Sequence, residues 1–263
     1  MSNFLDEVVA RTRADVDSRR EQVPLEDLQQ QLPPVPRGRP FSEGLIQEGI
    51  SLISEMKRAS PSKGPIRPDA TVTDIVRAYE AAGASACSVL TEPHWFGGSL
   101  DDLREARAAC GLPLLRKDFI VDPYQLVEAR LAGADAVLLI VAALPPDELM
   151  FLHDQAGQIG LDCLVEVHDD AEMQTALECG VEIIGVNNRN LQTLEVDPET
   201  ALRLLVDAPA GTIVVAESGI TSRDDVQRLE EAGVDAILVG EALMREDDPG
   251  TAVHALLGTR PGE

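Results

Sequence analysis

Lysine is scarce in this chain: Lys57, Lys63 and Lys117 are the only three, against 19 arginines. Arginine holds a fixed charge on a planar fork, whereas lysine is a compact ammonium that can release a proton. Two of the three lysines end apolar runs, in Ser-Glu-Met-Lys-Arg and Leu-Leu-Arg-Lys-Asp-Phe, and are candidates for acid–base chemistry. Lys63 lies in the loop from Pro61 to Pro68 and is expected to be a solvated loop lysine. The shortage of positive charge leaves a net −24, which excludes the broad basic surface that non-specific binding of nucleic acid or of an anionic membrane requires. A locally positive cleft remains compatible with it. Only four cysteines occur, Cys87, Cys110, Cys163 and Cys179, with no C-x-x-C spacing. Reduced, mostly buried thiols in a cytoplasmic protein are expected. The four histidines, His94, His153, His168 and His254, form no H-E-x-x-H or other ligand spacing, so no metal and no cofactor are expected. The longest apolar run, around Ala136 to Leu144, is too short to cross a bilayer, and no segment has the make-up of a cleaved leader.

What is present is a repeat. Ala-Gly-Ala-Ser-Ala-Cys-Ser-Val-Leu, Ala-Gly-Ala-Asp-Ala-Val-Leu-Leu-Ile, Cys-Gly-Val-Glu-Ile-Ile-Gly-Val-Asn and Ala-Gly-Val-Asp-Ala-Ile-Leu-Val-Gly follow one another around Gly83, Gly133, Gly180 and Gly233. Each reads as a helix end, a C-cap glycine and a buried strand. The glycines recur at about twice the length of one βα unit, so a further strand belongs between each pair. Leu112 to Lys117, Leu161 to Val167 and Thr212 to Ala216 fill those places, and Ile50 to Met56 precedes the first repeat. Helical stretches alternate with them at Val72 to Ala82, Pro123 to Ala132, Pro145 to Ile159 and Ser222 to Ala232. Strands apolar on both faces, separated by amphipathic helices, describe a parallel sheet covered by helices, and eight such units close into a (β/α)8 TIM barrel. An open doubly wound sheet is the alternative. It is disfavoured because the repeat continues evenly and no G-x-G-x-x-G follows the first strand. Residues 1–45 stand outside the repeat as an N-terminal helical extension, with a rough stripe of Phe4, Leu5, Val8, Val9 and Val16 and a proline-rich linker from Leu32 to Pro40. Residues 46–263 form the barrel.

In such barrels chemistry sits at the C-terminal ends of the strands. Glu55 and Lys57 end the first strand, two residues apart and so on one side. Lys117 ends the third, Glu166 the fifth, Asn187 the sixth with Arg189 just beyond, and Glu217-Ser218-Gly219 the seventh. Any one of these reads as a solvated rim residue; the whole set at one mouth reads as a site. After strands seven and eight come Ser218-Gly219-Ile220 and Gly240-Glu241-Ala242-Leu243, glycine loops whose amides can approach an anion, the second opening a short helix. Their place after these two strands points to a phosphate. Glu241 would then bind through its amide with its side chain turned away.

At these residues the chain resembles the indole-3-glycerol phosphate synthase family. The resemblance is carried by Ile-Ser-Glu-Met-Lys-Arg-Ala-Ser-Pro-Ser from Ile53, Phe-Gly-Gly-Ser-Leu from Phe96, Leu-Leu-Arg-Lys-Asp-Phe-Ile from Leu114, Leu-Val-Glu-Val-His from Leu164, Gly-Val-Asn-Asn-Arg-Asn-Leu from Gly185 and Ala-Glu-Ser-Gly-Ile from Ala216. It implies a carboxy-lyase of tryptophan biosynthesis that closes the ring of 1-(2-carboxyphenylamino)-1-deoxyribulose 5-phosphate with loss of carbon dioxide and water. By the same resemblance Lys117 is the general acid and Glu166 the general base, assisted by Glu55 and Lys57, with Asn187 among the catalytic groups. Phe96, Phe119, Leu138 and Leu191 would form a slot for the aromatic ring. Arg189, Glu217 and Ser218 would hold the ribulose chain, and Ser60, Gly219, Gly240 and Glu241 would surround the phosphate. His168, on the strand face of Glu166, is assigned a structural role. The partner expected is a phosphorylated small molecule, with the protein a monomer or weak oligomer.

Two other classes share parts of this pattern. A sugar-phosphate isomerase on the same barrel would share the phosphate loops but would not need two lysines together with a glutamate on strand five. A silent barrel acting as a binding subunit would not need the acid–base set.

Overall fold

The computed structural model describes residues 4–33, 40–61, 63–190 and 193–260. Leu191 and most of the proline-rich linker lie outside the described residues. Eight parallel strands close a barrel: β1 (Ser51–Met56), β2 (Ala86–Leu90), β3 (Leu114–Lys117), β4 (Ala136–Ile140), β5 (Asp162–Val167), β6 (Ile183–Asn187), β7 (Ile213–Glu217) and β8 (Ala236–Val239). They pair in chain order, and β1 closes the ring against both β2 and β8. The third strand begins at Leu114 rather than at Leu112 because Pro113 has no N–H to give to a ladder.

Three helices precede the barrel: α1 (Phe4–Gln22), α2 (Leu25–Gln29) and α3 (Phe41–Leu45). Around it run α4 (Val72–Ala81), α5 (Leu100–Ala109), α6 (Pro123–Ala132), α7 (Pro146–Gln158), α8 (Asp170–Glu178), α9 (Glu199–Leu205) and α10 (Arg223–Ala232). The short α11 (Glu241–Arg245) and then α12 (Pro249–Leu257) follow β8. Their starts are written in the sequence. Ser99, Asp122, Asp169 and Ser222 each accept a hydrogen bond from a first-turn amide. At the ends of α6 and α10, Gly133 and Gly233 take φ of 95° and 94°, a left-handed cap that a side chain would strain.

Alternation along each strand divides the core in two. Outward residues such as Leu52, Val89, Val165 and Val214 pack under the helices. Inward residues such as Ile53, Leu115, Leu164 and Val215 fill the barrel. The inner cluster is closed at both ends by the extension. Phe41 and Leu45 of α3 are fully buried in it, and α3 is tied to the start of β5 by the Ser42 amide, which donates to Asp162 at 2.9 Å. Leu5 and Val8 of α1 join it from the mouth, where Phe4 meets Trp95 edge-on at 5.8 Å. Ion pairs hold α1 there, Arg19 to Glu128 at 2.7 Å and Arg13 to Glu148 at 2.7 Å. Among the described residues no helix is long and apolar enough to cross a membrane.

Candidate active site

At the C-terminal mouth the strands surround a cavity of about 1030 Å³. Every site residue expected from the sequence lines it except Leu191, which lies outside the described residues. The strand register explains the convergence: Glu55 stands beside Ser88, Leu90 beside Lys117 and Asn187 beside Glu217. All are inward positions at the last turn of the pleat, where the packed interior gives way to the opening.

The centre is Lys117. Its Nζ donates to Glu217 at 2.7 Å and to Glu166 at 3.0 Å, bringing groups from β3, β5 and β7 to one point. Burial works against the ammonium, but Glu166, Glu217 and Glu55 together hold its pKa well above the ordinary lysine value. The two carboxylates diverge. Burial alone would raise Glu166, yet Lys117 and His168 outweigh it and keep it below the usual carboxylate range. Glu217 is pushed up to about 7 by burial and by the nearby Glu166 and Glu55 charges, against Lys117. The asymmetry has a geometric source: Glu166 faces two cations, whereas Glu217 shares one and its buried Oε1 has no hydrogen-bond partner among the described residues. A second pair stands across the mouth, Lys57 to Glu55 at 2.7 Å.

Neighbours fix these groups. Arg116, pointing outward from β3, donates to Thr91 at 3.1 Å, to Asp118 at 2.9 Å and to the Gln125 carbonyl at 2.7 Å, so the strand end bearing Lys117 is pinned from behind. Glu92, buried at the end of β2, accepts the amides of His94, Trp95 and Phe96 at 2.7 to 3.0 Å and so sets the aromatic wall. Phe96 and Phe119 face each other with ring centroids 6.4 Å apart. Ser218 holds φ at 66°, a left-handed conformation rare for a residue with a side chain, and Asn188 secures it by donating to the Ser218 carbonyl at 3.0 Å.

Glu241 lines the wall, its carboxylate paired with Arg245 at 2.9 Å one helical turn along and 4.0 Å from Lys63, which is an exposed loop lysine, as expected, at the rim of the same cavity. Gly240 has a second reason to be glycine, since a Cβ there would fall closer than 3.0 Å to the Glu55 carboxylate. Glu92, Asn188, Gly185 and Glu172 were not singled out by sequence. Only Gly185 carried a signal, a glycine inside an apolar strand, which marks a close approach. Among the described residues no group of three or more His, Cys, Asp or Glu side chains is placed to hold a metal ion.

An ammonium held between two carboxylates in a cavity edged by glycine loops and an aromatic pair is an arrangement that can transfer protons to a bound molecule. Comparison with known proteins agrees. The family model described as indole-3-glycerol phosphate synthase matches residues 5–256. The chain is 46% identical over 258 residues to indole-3-glycerol phosphate synthase 2 of Streptomyces coelicolor, covering 98% of this chain and all of that one. It is 49% identical over 256 residues to the indole-3-glycerol phosphate synthase of Nocardioides sp., covering 97% and 98%. Among solved structures, a thiamine phosphate pyrophosphorylase and a mutant tryptophan synthase alpha-subunit, both from Pyrococcus furiosus, superpose with TM-scores of 0.60 over 79% of this chain and 93% and 98% of theirs. At 19% and 18% identity these two show the barrel fold alone.

Proposed function

The chain belongs to the indole-3-glycerol phosphate synthase family, and from that premise we infer how its own residues carry out the reaction. The enzyme is a carboxy-lyase of tryptophan biosynthesis. It closes 1-(2-carboxyphenylamino)-1-deoxyribulose 5-phosphate to indole-3-glycerol phosphate, releasing carbon dioxide and water.

The aromatic carbon that bears the carboxylate attacks the ketone, whose oxygen gains negative charge as the bond forms. Lys117 is the acid that protonates it. The observation that carries this role is its ammonium, held between Glu166 and Glu217 at 3.0 and 2.7 Å and therefore fully charged at neutral pH. A developing alkoxide is more basic still, so the transfer runs downhill. Loss of carbon dioxide restores the aromatic ring. The hydroxyl then leaves as water with a proton from the Lys57 ammonium, freed once carbon dioxide has gone, while Glu166 removes the proton from the neighbouring ring carbon. In the resting site Glu166 is a weak base because Lys117 neutralises it; once Lys117 has given up its proton, that restraint is gone and its basicity rises. Lys57, oriented by Glu55, suits the substrate carboxylate. Asn187 and Arg189 line the same wall, suited to the ribulose hydroxyls. The ring lies against Phe96, Phe119 and Leu138. The phosphate rests on the amides of Gly219, Gly240 and Glu241 beside Ser60, with Lys63 and Arg245 supplying positive charge on that side.

A second reading gives the base role to Glu217. Its pKa of about 7 matches a base that works near neutrality, and its open Oε1 can accept from substrate. Comparing kcat for Glu166→Gln and Glu217→Gln separates the two, since only the true base costs roughly a hundredfold while affinity stays within a few fold. The acid is tested by Lys117→Arg, which keeps charge but cannot release a proton near neutral pH. Indole formation, followed by fluorescence, is expected to be nearly abolished. Wild-type kcat in that variant would remove Lys117 from the role. We also take the enzyme to work in the cytoplasm, as its four free cysteines suggest, and as a monomer or weak oligomer, in keeping with a self-repelling charge of −24.

A further inference from the structure

Behind the acid–base centre, on the side away from Lys117, a histidine stands between two carboxylates. His168 follows β5, two residues past Glu166, with its side chain only 10% exposed. Its Nδ1 lies 2.9 Å from Oε2 of Glu172 on α8, and the same oxygen accepts the His168 backbone amide at 2.8 Å. The ring is thereby fixed in orientation by one carboxylate gripping two of its donors. Its other nitrogen, Nε2, sits 3.3 Å from Oε1 of Glu166, too oblique for a regular hydrogen bond and with no hydrogen-bond partner among the described residues.

A neutral imidazole has one N–H and one lone pair. If Nδ1 carries the proton for Glu172, a neutral ring turns its Nε2 lone pair on the Glu166 carboxylate inside a buried site, which is repulsive. If Nε2 carries it, the lone pair falls on Glu172 instead. Only the imidazolium satisfies both ends. The charged groups facing the ring are Glu166 from β5 and Glu172 from α8. Lys117 from β3 and Glu217 from β7 lie one contact further on. Burial disfavours the charge, yet the two carboxylates push the pKa up to about 10.

We propose that His168 is a positioning residue for the reaction, a permanently charged imidazolium anchored by Glu172 that steers one oxygen of Glu166 aside and leaves the other aimed at Lys117 and the cavity. It replaces the purely structural role expected for His168, and it rests on the reading of Glu166 as the base. Glu166 has two oxygens and two cations, Oε2 on Lys117 at 3.0 Å and Oε1 facing His168. With His168 present, the rotation of the carboxylate is fixed and one cation remains beside it when Lys117 has discharged, so Glu166 stays oriented through the dehydration step. Without it, the carboxylate can swing both oxygens to Lys117.

The test combines kinetics with histidine ring-nitrogen NMR on the intact enzyme. His168→Leu is expected to lower kcat by roughly tenfold or more while KM stays within a few fold. Added to Glu166→Gln, the same change should cost less than about twofold more, because a residue acting through Glu166 has nothing left to position. In the wild type both ring nitrogens of His168 should show the protonated signature at pH 8, and in Glu172→Gln the ring should titrate at lower pH. Should His168→Leu fail to fold, Glu172→Gln keeps the ring in place and carries both measurements. A neutral His168 at pH 8, or losses that multiply in the double variant, overturns the proposal. If instead Glu166→Gln keeps wild-type kcat, the reading of Glu166 as the base has failed, and the NMR signature alone reports on His168.

Discussion

The carboxylate of Glu217 occupies the space where a side chain on Gly185 would stand. A Cβ built on Gly185 falls closer than 3.0 Å to Glu217 Oε1 and lies 3.2 Å from Leu164 Cδ1. Glu217 sits on β7 and Gly185 on β6, so the absence of one side chain admits another from the neighbouring strand. Gly185→Ala should therefore push Glu217 off Lys117. The expected result is a loss of roughly tenfold or more in kcat/KM, with destabilisation of about 1–3 kcal/mol from overpacking. Thermal unfolding and steady-state kinetics check it. Adding Glu217→Ala should return part of the lost stability while activity stays low. An alanine variant with wild-type kinetics would mean that Glu217 has other room or is not needed.

Glu217 also makes stability depend on pH in a direction opposite to that of most carboxylates. Its pKa in the folded state is raised to about 7, above the unfolded value. Such a group contributes stability that is fully present below its unfolded pKa and is lost as pH rises through the folded one. Glu217→Gln removes this dependence while keeping an oxygen that can accept from Lys117. Relative to the wild type, the variant should gain on the order of 1–3 kcal/mol of stability between pH 5 and pH 8. Denaturant unfolding at the two pH values measures it. A stability difference that does not change between the two pH values would show Glu217 ionised throughout the range.

The barrel was legible because its strands are buried on both faces and its helix caps recur with the same spacing. Gly83, Gly133, Gly180 and Gly233 alone set the frame. The inward direction of Glu55, Lys57, Lys117, Glu166, Asn187 and Glu217 also followed from alternation at the strand ends. The side-chain pairings did not follow. That Lys117 takes both Glu166 and Glu217, rather than Glu55, depends on barrel closure and on room made by Gly185, neither of which is local in sequence. Glu92 was invisible for a similar reason: a buried carboxylate that grips three amides of its own loop looks in the sequence like a solvated residue before a proline. Glu172 lies on an acidic helix face where one glutamate reads like another, and only its contact with His168 sets it apart.

Ser218 holds φ at 66° in a loop whose neighbours Glu217 and Gly219 both face the cavity. For a residue with a Cβ this conformation costs roughly 1–2 kcal/mol, and it persists because Asn188 grips the Ser218 carbonyl from below. On the proposed reading the strain has a use: the turn places Ser218 and Gly219 on the cavity wall, where the Gly219 amide is proposed to hold the phosphate. Ser218→Gly removes the Cβ penalty but adds freedom to the unfolded chain worth roughly 0.5–1 kcal/mol, so the melting temperature should stay level or rise by a few degrees. Function should move the other way. Without the hydroxyl and with a looser turn, KM should rise several-fold while kcat changes little, since the proposed role of Ser218 is to bind substrate rather than to transfer a proton. Measuring melting temperature and the two kinetic constants for this one variant tests the trade. A fall of several degrees, or a loss confined to kcat, would mean that the left-handed turn stabilises the fold or serves the chemistry itself.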